Sequence, residues 1–314
     1  MILSEAIERL HVANLADGRT KGTIEDYRRK LDMLAAFLGP DSDVASIEAN
    51  DLRRFVASLR TRESRYQDHK YRAEVAGGLS PATVAGIVRV VRRLFSFLVK
   101  DKIITDNPAK ELRQPRLAKG HEPKAIMLED FKALLKATGG DDPAELRDRA
   151  LLLFLADTGC RVGGLVGLKV SEVDLSKLTA WVVEKGNKRR AVYLSDETAA
   201  VLAAWLKIRP AGQTEAVFTT LQGGALTTEG VTQVLRRLKK RAGVKGPCNP
   251  HSFRHAFARE YLCNGGDLST LSDILGHADI AVTAMSYAVF TPKELQERHQ
   301  RYSPVARLGR EGKL

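Results

Sequence analysis

The sequence predicts a mainly α-helical protein with a small β-sheet, arranged as two domains. Three observations predict it. Apolar residues return at three- and four-residue steps through both halves of the chain, the spacing that lines one face of a helix. Short strand-like runs flank Lys185-Gly186-Asn187-Lys188 and read as a β-hairpin. Between the halves, Arg113 to Lys124 is basic, contains proline and has no apolar periodicity, which marks a linker.

Taken in order, Ile24, Tyr27, Leu31, Leu34 and Phe37 define one amphipathic helix, Leu52, Phe55, Val56 and Leu59 a second, and Val84 to Leu98 a third; three or four helices make the first domain. Thr61 to Gly78, polar and rich in both charges, reads as an exposed loop with frayed helix ends. Asp106-Asn107-Pro108 stops the preceding helix. In the second half, Leu128 to Ala137 and Asp142 to Asp157 read as helices, and Thr179 to Glu184 and Arg190 to Leu194 as strands. Further helices are expected at Asp196 to Lys207, Thr228 to Ala242, His251 to Asn264, Leu268 to Leu275 and Pro292 to Arg301. The expected division is a helical domain over 1–112, a basic linker over 113–124, a second domain over 125–304 and a tail over 305–314.

A chain of 314 residues, 44% of them hydrophobic, is long enough to bury two cores. Lys plus Arg number 50 against 38 Asp plus Glu, a formal net charge of +12. Such an excess serves solubility, and it also favours a polyanionic partner through counterion release, nucleic acid first. Cys160, Cys248 and Cys263 are odd in number and form no C-x-x-C pair. They suggest neither a disulfide framework nor a thiolate zinc site and fit a reducing cytoplasm. The first residues carry Glu5 and Glu8 where a signal peptide carries bases. The longest apolar run, Ala150 to Ala156, is far below the roughly 20 residues that cross a bilayer, so no membrane partner is expected.

Three segments carry donors suited to an anion. Arg161 follows Thr158-Gly159 at the end of a strongly apolar helix, close to buried structure; alone, an arginine there more often caps carbonyls or pairs a carboxylate. In His251-Ser252-Phe253-Arg254-His255, helical spacing puts His251, Arg254 and His255 on one face. Zinc at His251 and His255 is the competing reading, but Ser252 stands where a zinc protease motif needs glutamate and Arg254 would repel the metal. His277 follows Gly276 at the end of a helix with apolar Leu268, Leu271 and Ile274, where a left-handed glycine makes a rigid turn.

Taken together, Thr158-Gly159-Cys160-Arg161, Lys185-Gly186-Asn187-Lys188-Arg189, His251-Ser252-Phe253-Arg254-His255, Leu275-Gly276-His277 and a following tyrosine, in that order, resemble the tyrosine recombinases of the phage integrase type, Xer-like enzymes among them. The motif-bearing likeness runs from Leu128 to about Pro304, and the helical first half resembles the family's SAM-like core-binding domain more loosely. The resemblance implies a site-specific DNA recombinase with a mixed α+β catalytic domain, closing with the first domain around double-stranded DNA as a C-shaped clamp. It implies that Arg161 and Arg254 clamp the non-bridging phosphate oxygens, for which the planar, always-charged guanidinium is suited. Lys185, with Lys188 as runner-up, would protonate the departing 5′ oxygen; His251 would handle the nucleophile's proton and His277 would hydrogen-bond the phosphate. His255 would support the fold or the neighbouring phosphate. A tyrosine, Tyr287, would attack and leave a 3′-phosphotyrosyl bond and a free 5′ hydroxyl. The covalent link keeps the energy of the broken bond, so no cofactor and no metal are expected. Four sites for two duplexes imply a tetramer, the tail after Tyr287 reaching a neighbouring subunit. Integration, transposition and plasmid or chromosome resolution are the tasks open to such an enzyme of mobile elements or chromosomes.

Two positions depart from the family pattern. Gly164 stands where a glutamate usually follows the first arginine by three residues, which weakens the local buttress of Arg161. The usual tyrosine position, nine residues after His277, is Ser286, and Tyr287 is at ten; one residue turns a helix by about 100°. Either the backbone before Tyr287 absorbs an extra residue, or the nucleophile at 286 has been replaced; Tyr302 is a third candidate. The alternatives that follow are a catalytically impaired DNA-binding member, a type IB topoisomerase-like enzyme and, more remotely, a nonenzymatic nucleic-acid adaptor.

Overall fold

The computed structural model describes residues 1–65, 74–115, 125–184, 188–210, 212, 214–277, 279–288 and 290–310. The chain separates into two compact units, Met1–Gly120 and His121–Leu314.

Among the described residues, the first unit holds four helices, α1 (Leu3–Ala16), α2 (Lys21–Leu38), α3 (Ala49–Thr61) and α4 (Pro81–Lys100). α4 is its centre: Ser80 caps it by accepting from the Thr83 N–H, and Val84, Ile87, Val88, Val91, Leu94, Phe95 and Leu98 are buried along it. Phe55 and Leu59 of α3 and Leu31 and Leu34 of α2 close the same core, each fully buried apolar side chain contributing about 1.5–3 kcal/mol. The sequence reading did not single out α1, although its buried Leu3, Ala6, Ile7 and Leu10 keep helical spacing. Two details differ from expectation. The polar stretch after α3 begins and ends in a short antiparallel pairing of β1 (Ser64–Arg65) with β2 (Val75–Ala76). And α4 stops well before Pro108: Lys102 is left-handed at φ 58°, while the Lys102 and Ile103 N–H groups donate to Val99 O and Leu98 O, a Schellman closure that ends a helix without proline.

The second unit is built on α5 (Leu128–Lys136), α6 (Pro143–Thr158), α7 (Val162–Val166), α8 (Asp196–Ile208), α9 (Thr228–Arg241), α10 (Pro250–Cys263), α11 (Leu268–Leu275), α12 (Ile280–Tyr287), α13 (Pro292–Tyr302) and α14 (Pro304–Arg310). Strands β3 (Val173–Asp174), β4 (Thr179–Glu184) and β5 (Lys188–Tyr193) form an antiparallel sheet in the order β3-β4-β5. The hairpin pairs Glu184 with Lys188 and Val182 with Arg190, so β5 starts two residues earlier than the sequence reading placed it and Lys188 is a strand residue. α6 runs through the core with Ala150, Leu151, Leu152, Phe154 and Leu155 buried, packed with Phe218, Phe253, Val182 and Trp205. The Trp205 indole N–H donates to Val217 O at 2.8 Å, satisfying the one polar atom that this ring brings into the core. Among the described residues, no helix is long and apolar enough to cross a membrane.

Candidate active site

Four turns deliver the chemistry-bearing side chains. At the end of α6, Gly159 is left-handed at φ 54°, and a Cβ there would lie 2.6 Å from Phe257 Cδ1, so glycine is required for both conformation and approach. Arg161 then takes the N-cap position of α7. Asn249, with Pro250 behind it, caps α10 through a reciprocal hydrogen-bond pair with Ser252, which fixes the turn bearing His251, Arg254 and His255. Gly276, left-handed at φ 66°, ends α11 and sets His277. Asp279 caps α12 by accepting from the Ala281 N–H at 2.8 Å, and α12 closes on Tyr287.

Arg254 is 4% exposed and joins three of these turns. Its Nη1 donates to Gly159 O at 2.8 Å, and its Nη2 donates to Leu275 O at 2.8 Å and meets His277 Nε2 at 2.8 Å. His277 Nδ1 lies 2.6 Å from Thr283 Oγ1. Because Nε2 faces a guanidinium that has only donors, the ring accepts there and Nδ1–H donates to Thr283. Burial first, then Arg254, Arg161 and Arg190, push the His277 imidazole down to about 4, so it is neutral at pH 7.

Tyr287 is 6% exposed. Its ring stacks on His277 with centroids 6.1 Å apart and planes 5° apart, and His255 meets it edge-on at 5.1 Å. Arg161 contributes a half-exposed guanidinium paired with Glu184. Burial pulls the Arg161, Arg190 and Arg254 side chains down from the ordinary arginine range, but each remains a cation. Three guanidiniums face one carboxylate, an excess of positive charge that suits a phosphate in a site shielded from water.

The profile of the Phage integrase family matches residues 124–294, more than half of the chain, and that of the Phage integrase, N-terminal SAM-like domain matches residues 12–102. The chain belongs to the phage integrase family. It is 30% identical over 306 residues to the tyrosine recombinase XerD of Listeria innocua, spanning 95% of this chain and 97% of that one, and is a tyrosine-type site-specific DNA recombinase. A crystal structure of the XerA recombinase is similar at 26% identity and a TM-score of 0.53, covering 96% of this chain and 99% of that one. The Tn1549 transposon integrase, solved with a circular intermediate DNA, shares the fold at a TM-score of 0.74 and 18% identity, over 96% of this chain and all of that one.

Of the residues the sequence singled out, the recombinase brings Arg161, Arg254, His277 and Tyr287 together. Burial grades across the α10 face: Arg254 is buried, His255 half-buried and His251 exposed on the first turn. Lys185 lies outside the described residues; Lys188 is exposed on β5. Ser286 is half-buried beside Tyr287, and Tyr302, 59% exposed on α13, lies against Gly265. Sequence reasoning missed two members of the cluster, Glu184 and Arg190. Arg190, near the middle of β5, gives Nε and Nη2 to Glu184 Oε1 at 3.2 and 2.9 Å and Nη1 to Ile274 O at 2.5 Å. The strand alternation carried the signal, since Ala180, Val182 and Glu184 all face inward and Arg190 is the register partner of Val182.

Proposed function

We propose that this recombinase breaks and rejoins double-stranded DNA through Tyr287. Its hydroxyl attacks the scissile phosphate, the 3′ oxygen side remains bound as a phosphotyrosyl ester and the 5′ oxygen leaves as a hydroxyl. Arg161 and Arg254 stabilise the charge gathering on the non-bridging oxygens. Arg254 spends donors on two carbonyls and His277, which preorganises its fork before DNA arrives. Lys185 supplies the proton to the departing oxygen, His251 takes the phenol proton, and His277 contributes to the phosphate site. Rejoining reverses the same steps with another 5′ hydroxyl, so the exchange needs no cofactor.

The observation that carries this reading is the position of Tyr287, buried and stacked on His277, whose Nε2 in turn meets Arg254. A duplex selected by the protein from a random-sequence library, nicked so that the cleaved strand end is lost, tests it. A covalent protein–DNA adduct mapping to Tyr287 is expected, and Tyr287→Phe removes the adduct while retaining binding. An adduct at Tyr302, or one that appears only after Ser286→Tyr, overturns the assignment.

We read the working assembly as a tetramer on paired sites, acting in the cytoplasm, where the three free thiols stay reduced. Two features support exchange of the tail. α13 is tied to its own α10 through Arg259–Glu294 and through Arg298 on Leu262 O, so the segment read as exchanging is α14, which exposes Val305 and Leu308. An apolar cavity of about 350 Å³, lined by Ile126, Leu128, Phe131, Phe253, Phe257 and Tyr261 among others, is a receptor of matching chemistry on a second copy. Transposition or integration is the task we favour among those open to the fold, by the likeness to a transposon integrase.

A further inference from the structure

We propose that Glu184 is the positioning residue of the phosphate site, and that Gly164 is the gap that lets a carboxylate reach that place from β4 instead of from α7. The inference rests on the cleavage mechanism above and assigns a role to two residues that mechanism does not use.

A carboxylate side chain 4% exposed is tolerated only when paired and hydrogen-bonded. Glu184 is paired on every side. Oε1 accepts from Arg190 Nε and Nη2 and from the Arg161 backbone N–H at 3.4 Å, and stands 4.0 Å from Arg254 Nη1. Oε2 pairs with Arg161 Nη1. One side chain therefore fixes both the backbone and the guanidinium of Arg161 and holds Arg190 beside them. Arg190 and Arg254 are also anchored on carbonyls of α11 and of Gly159. Arg161 has no such second anchor among its described hydrogen bonds and is the cation that Glu184 restrains most.

Gly164 explains how the carboxylate fits. A Cβ at 164 would lie 3.2 Å from Val182 Cβ and 3.7 Å from Glu184 Cγ, so a longer side chain at 164 would extend into the volume Glu184 fills. The family's usual glutamate at this position and Glu184 are alternatives for one space. Either way one carboxylate separates guanidiniums that otherwise repel one another. Glu184 is also the last residue of β4, immediately before Lys185 in the chain, so the same contact ties the strand leading to Lys185 to the arginine clamp.

The test measures adduct formation on the nicked, library-selected duplex at saturating DNA, with duplex affinity and thermal unfolding alongside. Glu184→Gln keeps the shape and removes the charge. Its adduct rate is expected to fall on the order of 10²-fold, with affinity within about twofold of wild type because most contacts lie elsewhere. In a Glu184→Ala background, Gly164→Glu is expected to recover roughly tenfold or more of the lost rate, whereas Gly164→Glu alone slows the enzyme. A Glu184→Gln rate within about twofold of wild type overturns the proposal, as does a folded double variant that recovers nothing. Should the double variant not fold, the Glu184→Gln rate decides alone. Wild-type protein that forms no adduct on the same DNA would instead remove the cleavage mechanism, a result distinct from normal wild-type cleavage with an indifferent Glu184.

Discussion

His277 illustrates how a single residue reports the charge around it. Burial and three neighbouring guanidiniums lower its titration from 6.5 to about 4, and burial, His251 and Arg254 lower His255 in the same direction. Between these values the unfolded chain binds a proton that the native chain refuses, so stability is fully present above about pH 6.5 and is lost as pH falls toward 4. Melting temperature should therefore decline through this window, and His277→Gln should decline less steeply from a lower starting point. Equal declines would show that His277 is not held neutral. Arg254 gives a second expectation at this scale. Arg254→Ala would leave the Gly159 and Leu275 carbonyls unpaired, confounding chemistry with stability. Arg254→Lys keeps the charge but loses the fork, so adduct formation should fall by at least about tenfold while duplex affinity is largely kept. Parallel losses of both would place Arg254 among the affinity determinants instead.

At the scale of elements, two left-handed glycines hold the site together in different ways. Gly159→Ala meets the Phe257 ring at 2.6 Å and Leu275 at 3.2 Å, at φ 54°, and should cost on the order of 1–3 kcal/mol in urea denaturation. Gly276→Ala, at φ 66°, meets Arg190 Cδ at 2.8 Å, the stem of a flexible side chain. It should disturb the Arg190–Glu184 contact and slow adduct formation more than its stability change accounts for. If adduct rate tracks stability equally in both variants, the Arg190 contact has no separate role. These turns were legible in the sequence, because Gly159 and Gly276 each follow a long apolar period and occupy the position where a left-handed residue ends a helix. The hairpin was legible to within two residues at β5. What escaped was β1–β2, whose two-residue strands carry no periodicity, and the pair Glu184 and Arg190, charged residues at inward strand positions that binary patterning reads as interruptions. Arg161, which pairs with Glu184, is twenty-three residues from it in the chain, and only the fold brings the two together. The sequence left 286 and 287 both open as the nucleophile position, and the fold adds that α12 buries Tyr287 and leaves Ser286 half-buried.

For the whole molecule, the net charge of +12 divides equally between the two units, and each unit has its own core with no residue in common. Both facts bear on how the protein holds DNA. If affinity came from the catalytic site alone, the first unit's excess charge would contribute only solubility, and removing it would leave the salt dependence unchanged. If both units neutralise phosphates, each contact releases counterions and adds about 0.9 to the slope of log affinity against log salt. Separate fragments spanning 1–120 and 121–314 are expected to fold, because each retains its buried cluster, and circular dichroism with cooperative melting checks this directly. Titration of a duplex with each fragment and with the intact chain then separates the cases. Both fragments should bind with shallow slopes, and the intact chain with a slope near their sum and an affinity above either, since joining two weak contacts raises the effective concentration of the second. A catalytic fragment that reproduces the full slope, or an intact chain whose affinity barely changes with salt, would show that the first unit does not share the phosphate backbone.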